Sequence, residues 1–186
     1  MNKNTNTHLN LLTKTLYGDI TKEVFDRAKK IKLLVCDVDG VFSDGRIYLG
    51  NDGEELKAFH TKDGFGIKAL GNSGVEVAII TGRRSAIVAN RMTALNVKHI
   101  VQGQENKLPA LQHLAEQLKL SPDEIAYIGD DINDMVNLNS VAWGFCPNNS
   151  VASLIPYCDV VLNNNGGDMA IREGADFIIK YNQRFE

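Results

Sequence analysis

Residues 31–40 read IKLLVCDVDG, and they set the pattern that the rest of this 186-residue chain follows. The apolar run from Ile31 to Cys36 ends in an Asp-Val-Asp-Gly turn. A short apolar run that is bounded by a glycine turn is typical of a strand buried on both faces. Strands of this kind belong to parallel sheets covered by helices, so the stretch predicts the first strand of an α/β domain.

Similar apolar runs recur along the chain, with helical patterns between them. Further strands are predicted over Val75 to Ile80, Val97 to Val101, Ile125 to Ile128, Val141 to Phe145 and Asp159 to Leu162. Helices are predicted over about 14–30, 84–95, 105–119, 150–155 and 168–180. This alternation predicts a doubly wound (Rossmann-like) parallel sheet with helices on both faces.

Residues 45–62 depart from this alternation. Two runs of alternating apolar and polar residues flank an Asn-Asp-Gly turn at 51–53. The apolar members of these runs are Ile47, Leu49, Leu56 and Phe59. Such a pattern is typical of a β-hairpin, which here follows the first strand and would overhang the carboxyl edge of the sheet. We therefore predict a flap at about 45–62. The flap belongs to a single predicted domain over 15–186, which follows a flexible leader predicted over 1–14.

Composition and charge exclude several classes of protein. The chain has 20 Lys and Arg against 23 Asp and Glu, a formal net charge of −3, and no strongly basic segment. We therefore expect neither a nucleic-acid nor a membrane partner.

Cys36, Cys146 and Cys158 lack metal-ligand spacing, which indicates buried free thiols in a reducing compartment. The polar first ten residues do not resemble a secretory signal, so a cytoplasmic location is expected.

Polar side chains follow several of the predicted strands at the point where each strand ends. Asp37 and Asp39 follow the first strand, residues 81–83 (Thr-Gly-Arg) the second, and the acids at 130–131 the strand that ends at Ile128. Lys107 lies near the start of the helix after the strand that ends at Val101. Ligands of doubly wound sheets bind beyond the carboxyl ends of the strands, so these side chains are expected to form one site.

The number of acids at this edge indicates a divalent cation. Asp37 and Asp39 are two residues apart, so in extended backbone both carboxylates project to one side and repel each other. Asp130, Asp131 and Asp134 add a second acidic group at a predicted helix start. Helix capping explains one of these acids but not the clustering. Mg²⁺ prefers carboxylate and phosphate oxygens, so the pattern predicts a magnesium site that also takes a phosphoryl group.

The same residue types suit phosphoryl transfer. One of the two aspartates after the first strand can attack phosphorus, and the other can protonate the leaving alkoxide and later deprotonate a water. Lys107 and the hydroxyl of Thr81 can contact the remaining phosphoryl oxygens. Taken alone, Lys107 could be a solvated helix lysine and Thr81 a turn residue, but the acidic clusters favour the functional interpretation of both.

Four segments in this order resemble the motifs of the haloacid dehalogenase superfamily. They are DVDG at 37–40, IITG at 79–82, Lys107, and GDDxxD at 129–134. The resemblance implies that Asp37 is the nucleophile and Asp39 the general acid and base, which is the phosphatase version of the motif. It also implies phosphate binding by Thr81, Gly82 and Lys107, and magnesium binding by Asp37, Asp39 and Asp130.

A narrower resemblance covers about residues 32–180. The segments DVDGVFSDGRIY, FHTKDGFGIKAL, ITGRRSAIVANR, QGQENK and GGDMAIRE resemble the family of phosphatases that act on 3-deoxy-D-manno-octulosonate 8-phosphate in lipopolysaccharide biosynthesis. The family implies hydrolysis through an aspartyl-phosphate, a β-hairpin flap in place of a cap domain, and a homotetramer in which the flap borders a neighbouring site. The sugar-acid carboxylate is then expected to meet cationic side chains, for which the candidates are Arg83, Arg91, His60 and Lys62.

Three alternatives remain open from the sequence. The substrate could be another sugar-acid phosphate, for example a nine-carbon one. The domain could serve assembly in a sugar-acid pathway without catalysis, although every motif residue is present. A phospho-accepting receiver domain also uses Asp and Mg²⁺, but it places its acceptor after a middle strand, and the order of the acids here disfavours it.

Overall fold

The computed structural model describes residues 13–15, 18–20 and 26–182, with side chains from 26 onward. The strands are β1 Thr13–Thr15, β2 Gly18–Ile20, β3 Leu33–Cys36, β4 Tyr48–Leu49, β5 Glu55–Leu56, β6 Glu76–Thr81, β7 His99–Gln102, β8 Ile125–Ile128, β9 Trp143–Cys146 and β10 Val160–Val161. The α-helices are α1 Thr61–Asn72, α2 Ala86–Ala94, α3 Lys107–Leu118, α4 Met135–Ser140 and α5 Ala170–Tyr181.

The central sheet has six strands in the order β10-β9-β8-β3-β6-β7, and every pair in it is parallel. Strand β3 lies inside the sheet, where Cys36 pairs with Ile79 on one side and with Ile128 on the other. The acidic turn after β3 therefore emerges at the carboxyl edge between two neighbouring strands. The prediction of a parallel sheet that begins with this stretch is confirmed.

Alternate residues of β3 serve two hydrophobic cores, one on each face of the sheet. Leu34 belongs to a core that includes Val88 of α2 and Ile178 of α5. Leu33 belongs to a second core that includes Leu111 of α3. Because the side chains of a strand alternate between faces, an entirely apolar strand needs both cores. Helices cover both faces, as predicted.

The predicted hairpin is present, but it is shorter than the flap at 45–62. Strands β4 and β5 pair antiparallel, with Tyr48 opposite Leu56 and Leu49 opposite Glu55. The chain then enters α1 at Thr61, a helix that the periodicity did not predict. Three glycines interrupt the apolar pattern of this segment, and two of them, Gly64 and Gly66, are buried. Glycine is a poor helix former, so packing rather than propensity accounts for α1.

Two of the predicted helices differ from the structure. The helix predicted over about 14–30 is wrong at its start, where β1 and β2 form an antiparallel pair, whereas residues 26–28 are helical as predicted. The β-branched Thr13, Thr15 and Ile20 favour extended backbone, and Gly18 weakens a helix. In place of the helix at 150–155, turns lead into a 3-10 helix at Ile155–Tyr157, which contains a proline.

Some expectations concern residues 1–12, which lie outside the described residues. They include most of the leader predicted over 1–14. None of the helices formed by the described residues has an apolar stretch of the length that a membrane span requires. The cysteines are free thiols as predicted: Cys36 and Cys146 are buried, whereas Cys158 is partly exposed.

Candidate active site

Asp37 is the first residue after β3, and its carboxylate is held from two sides. Its exposed fraction is 6%, and its backbone N–H donates to the carbonyl of Ile128 on β8 at 3.0 Å. The N–H of Val38 donates to Asp37 Oδ1 at 2.7 Å, and Lys107 Nζ lies 2.7 Å from Oδ2. These contacts fix a buried carboxylate at the carboxyl edge of the sheet.

Lys107, the first residue of α3, supplies the cation that faces Asp37. Its side chain is almost fully buried, and Nζ bridges Asp37 Oδ2 and Asp134 Oδ1, at 2.7 Å from each. Burial alone lowers the pKa of the Lys107 amine, but Asp37 and Asp134 more than offset burial, so its pKa lies above the ordinary value. The amine therefore stays charged at neutral pH, in a position to bind an anion.

Three carboxylates gather beside this lysine. Oxygen atoms of Asp37, Asp130 and Asp134 all lie within 4.8 Å of one another. Burial, together with Asp37 and Asp134, raises the pKa of Asp130 to about 7. Burial raises the pKa of Asp37 to about 6, against the lowering effect of Lys107. One amine does not neutralise three close acids, two of them buried, so the cluster fits a divalent cation, the natural partner of clustered carboxylate oxygens.

The acids of the GDDxxD segment have three different environments. Asp134 is fully buried and accepts hydrogen bonds from the Tyr127 hydroxyl (2.7 Å) and from the N–H of Asp130 (3.2 Å), in addition to Lys107. Asp131 is exposed and accepts from the N–H of Ile132, at the start of a 3-10 turn. The carboxylate of Asp130 accepts no hydrogen bond from the described residues. Of the two acids of this segment in the close cluster, Asp130 is therefore the one whose carboxylate is not already engaged by the described residues.

Asp39 lies two residues beyond Asp37 in a different environment. Its Oδ1 binds the amine of Lys57 and lies 3.3 Å from the Ser43 hydroxyl, whereas Oδ2 lies 4.0 Å from Arg83 Nε. Asp39 does not belong to the cluster of close carboxylates, in which Asp134 is the third member. Its predicted binding of magnesium therefore stays a prediction.

Sequence reasoning missed Lys57 and Glu55, which connect Asp39 to the hairpin. Both come from the β5 end of the hairpin, where Lys57 Nζ lies 3.4 Å from Glu55 Oε1. Arg83 Nη2 lies 3.5 Å from the same oxygen. One signal was available: residues two apart on a strand share a face, so Glu55 and Lys57 project to one side.

Thr81 and Gly82 lie at the same edge of the sheet as Asp37. Thr81 is the last residue of β6, the neighbour of β3, and it is buried. The N–H of Gln104 donates to the Thr81 carbonyl at 3.0 Å, which joins this turn to the segment before Lys107. The sheet thus gathers these residues as predicted, while their binding of phosphate stays a prediction.

Among the described residues, no hydrogen bond or ion pair joins Arg91, His60 or Lys62 to Asp37, Asp39 or the acids at 130–134. Arg91 on α2 lies over the Phe59 ring, with Cζ 5.9 Å from its centroid. His60 caps α1, where Nδ1 accepts from the N–H of Lys62 at 3.1 Å, and the Lys62 side chain is exposed. Among the described residues, Arg83 is the one predicted substrate cation that forms an ion pair with an acid of the site.

A glycine pair after β10 supports the turn that carries the acids, a feature that the sequence analysis did not identify. A Cβ atom on Gly166 would collide with the Gly40 carbonyl, and one on Gly167 would collide with the backbone of Ser43 and Asp44. Gly167 also has a φ of +72°, which L side chains rarely adopt. Only glycine lets the two backbones approach this closely.

The comparisons with known proteins agree with this geometry. Residues 96–171 match the family model for haloacid dehalogenase-like hydrolases. The curated 3-deoxy-D-manno-octulosonate 8-phosphate phosphatase of Escherichia coli K12 is 44% identical over 165 residues, 89% of this chain and 88% of that protein. The crystal structure of the phosphatase of that name from Yersinia pestis has a TM-score of 0.90 at 42% identity, covering 92% of this chain and 93% of that one.

A third relative was solved with ligands. The 3-deoxy-D-manno-octulosonate 8-phosphate phosphatase from Moraxella catarrhalis, in complex with magnesium ion, phosphate ion and a KDO molecule, has a TM-score of 0.86 at 40% identity. It covers 89% of this chain and 95% of that one. The match to the family model and the curated relatives place this parallel sheet, with its buried Asp–Lys pair and clustered acids, among the haloacid dehalogenase-like hydrolases. Within that class, the chain belongs to the family of 3-deoxy-D-manno-octulosonate 8-phosphate phosphatases. This membership excludes the receiver-domain alternative.

Proposed function

We propose that this chain is a magnesium-dependent phosphomonoesterase that hydrolyses 3-deoxy-D-manno-octulosonate 8-phosphate to the free sugar acid and phosphate in lipopolysaccharide biosynthesis. The observation that carries the proposal is the buried contact between Asp37 and Lys107, with Asp130 beside it, in a chain 44% identical to an enzyme of that name. A fixed carboxylate and a fixed cation, set at the edge where ligands of such sheets bind, suit attack on a phosphate ester.

Asp37 is the nucleophile in this proposal. A carboxylate oxygen of Asp37 forms a bond to phosphorus while the bond from phosphorus to the C8 oxygen of the sugar acid breaks. Asp39 gives its proton to the departing oxygen, which leaves as the alcohol. In the second step Asp39 takes a proton from a water, whose oxygen attacks the aspartyl-phosphate and releases phosphate. Asp37 is then a free carboxylate again and Asp39 is protonated.

The phosphoryl group is held by positive charge and hydrogen-bond donors. Lys107 is buried and charged, so it can bind a phosphoryl oxygen without a large reorganisation. Thr81 and Gly82 offer a hydroxyl and a backbone N–H from the end of β6. Asp37, Asp39 and Asp130 would hold Mg²⁺, which when bound supplies positive charge that offsets the acids and the phosphoryl oxygens.

The sugar-acid end of the substrate carries a second negative charge, which we assign chiefly to Arg83. Its side chain is 48% exposed, and it reaches the site from the turn after β6 through contacts with Asp39 and Glu55. A guanidinium with free donors suits bidentate binding of a carboxylate. Arg91, His60 and Lys62 remain further candidates for this end of the substrate.

We also propose the assembly and location that the family resemblance implies. The hairpin carries exposed apolar side chains at Ile47, Tyr48, Leu49 and Leu56, a surface that suits burial against another subunit. This supports a homotetramer in which the flap borders a neighbouring site, with residues 15–186 as one domain. The free thiols, two of them buried, support a cytoplasmic location.

Phosphate release from a panel of sugar and sugar-acid phosphates, with Mg²⁺ and with chelator, tests the proposal. We expect a strong preference for the eight-carbon keto-acid phosphate and loss of turnover on chelation. A preference for a nine-carbon acid phosphate would replace the substrate but keep the chemistry. No turnover of any phosphate with Mg²⁺ would refute the enzymatic function and favour an assembly role.

A further inference from the structure

The feature that the mechanism leaves unused is the buried amine of Lys57. Its side chain is fully buried although its backbone is partly exposed, and Nζ lies between Asp39 Oδ1 and Glu55 Oε1. A lysine is rarely buried unless it is paired, because desolvating the ammonium costs free energy that only close carboxylates offset. Of the two carboxylates, Asp39 is the closer partner of the amine, so Asp39 is the group that Lys57 chiefly holds.

The two oxygens of Asp39 have unequal partners. Oδ1 is bound by Lys57 and lies 3.3 Å from the Ser43 hydroxyl, a buried side chain whose hydroxyl also lies 3.4 Å from the Val38 carbonyl. Within the part of the chain that the structure describes, the one charged group near Oδ2 is Arg83 Nε, at 4.0 Å, beyond hydrogen-bond distance. One oxygen is therefore anchored to the protein, and the other is left for an exchangeable partner.

Glu55 completes the anchor from the hairpin side. Its Oε1 is buried and accepts no hydrogen bond from the described residues, so its partners are the charges of Lys57 at 3.4 Å and Arg83 at 3.5 Å. Two cations and two carboxylates thus alternate across the contact between the hairpin and the turn after β3. This arrangement aims the Lys57 amine at Asp39.

We propose that Lys57 is a positioning residue for proton transfer: it holds Asp39 by Oδ1, so that Oδ2 is the oxygen that gives the proton to the leaving alcohol. The inference rests on the proposed function. Lys57 itself does not touch the substrate in this proposal. Without it, the Asp39 side chain can rotate, and the fraction of time in which Oδ2 faces the leaving oxygen falls.

The test compares two leaving groups in Lys57→Met, measured with Mg²⁺ on the full chain. A sugar-acid phosphate leaves as an alkoxide that needs a proton, whereas p-nitrophenyl phosphate leaves as a stable phenolate that does not. The ratio kcat/KM reports steps up to phosphoryl transfer, before water attacks. We expect kcat/KM to fall about 10²-fold for the sugar-acid phosphate and to stay within about threefold for the aryl phosphate, the size of effect that general acid catalysis gives.

Matched variants distinguish positioning from loss of structure. Lys57→Arg keeps the charge and is expected to recover most of the sugar-acid phosphate activity, and Ser43→Ala is expected to show a weaker form of the same selective loss. Lys68→Met removes an exposed lysine of α1 and is expected to leave both substrates unaffected. If Lys57→Met does not fold, Lys57→Gln and Ser43→Ala carry the same comparison.

Three results decide the proposal. Equal losses of kcat/KM on both substrates, in a variant that unfolds at the wild-type temperature, would overturn it. Unchanged kcat/KM on both would overturn it as well. A wild-type chain that turns over no alkyl phosphate would instead refute the proposed function, so failure at the two levels can be told apart.

Discussion

Replacement of Asp130 by asparagine tests the acidic cluster directly. Burial and the neighbouring acids raise the Asp130 pKa from 3.8 to about 7. The folded protein therefore binds this proton more tightly than the unfolded chain does. The proton on Asp130 therefore stabilises the folded state. This stabilisation is fully present below about pH 4 and is lost as the pH rises through about 7.

The magnitude follows from the size of the pKa shift. A rise of about three units corresponds to about 4 kcal/mol at 1.36 kcal/mol per unit. Asp130 is partly exposed, and screening by solvent halves this to about 2 kcal/mol. For a chain of this size 1 kcal/mol moves Tm by about 2–4 °C, so Asp130→Asn is expected to raise Tm by about 4–8 °C at pH 8 in chelator. At pH 5 the gain is expected to be less than half of that.

Thermal unfolding followed by circular dichroism, at pH 5 and pH 8, measures this difference. Adding Mg²⁺ at pH 8 is expected to raise the Tm of the wild type and to have a much smaller effect on the variant, because a cation that binds the folded state stabilises it. Asp131→Asn is the control, since the Asp131 side chain is exposed and asparagine also caps helices. An Asp130→Asn variant that is less stable than the wild type at pH 8 in chelator would refute the reasoning.

Three further predictions concern turnover and packing. Asp37→Asn is expected to reduce phosphate release to background while the chain stays folded, and activity near the wild-type level would remove Asp37 as the nucleophile. Arg83→Ala is expected to reduce kcat/KM about tenfold or more for a keto-acid phosphate and far less for an aryl phosphate; equal losses would leave Arg83 a structural role. Gly166→Ala is expected to destabilise the chain by about 1–3 kcal/mol, because the added methyl group collides with the Gly40 carbonyl. Its control is Gly71→Ala in α1, where the methyl group meets open space and is expected to stabilise by about 0.5–1 kcal/mol, so equal effects of the two changes on Tm would contradict the packing argument.

Much of the fold could be predicted because its strands are buried on both faces. Strand β8 is observed at the predicted residues Ile125–Ile128, and the other strands of the central sheet shift by one or two residues at most of their ends. An apolar run has few alternatives once it must be covered on two sides. Helix α1 had no such signal, since its glycines lower its propensity and its buried face was completed by α5, more than a hundred residues away.

The site was predictable to the extent that its residues follow strand ends. Asp37, Thr81 and Asp130 could be assigned to one edge because parallel strands share a carboxyl edge. The different environments of the acids could not be read in this way. Asp134 accepts from Tyr127 and Lys107 on other elements, while no described residue donates to the Asp130 carboxylate, and the spacing of the two acids does not encode that difference.

The order of apolar runs and acidic turns thus determines the class of fold and the edge at which chemistry can occur, because both follow from local periodicity. The pairing of charges was decided only by tertiary structure. Lys57 lies 18 residues from Asp39, and the glycines of the 166–167 turn lie more than 120 residues from the acidic turn that they support. Such contacts depend on the space left between packed elements, which is a property of the whole domain rather than of any one segment.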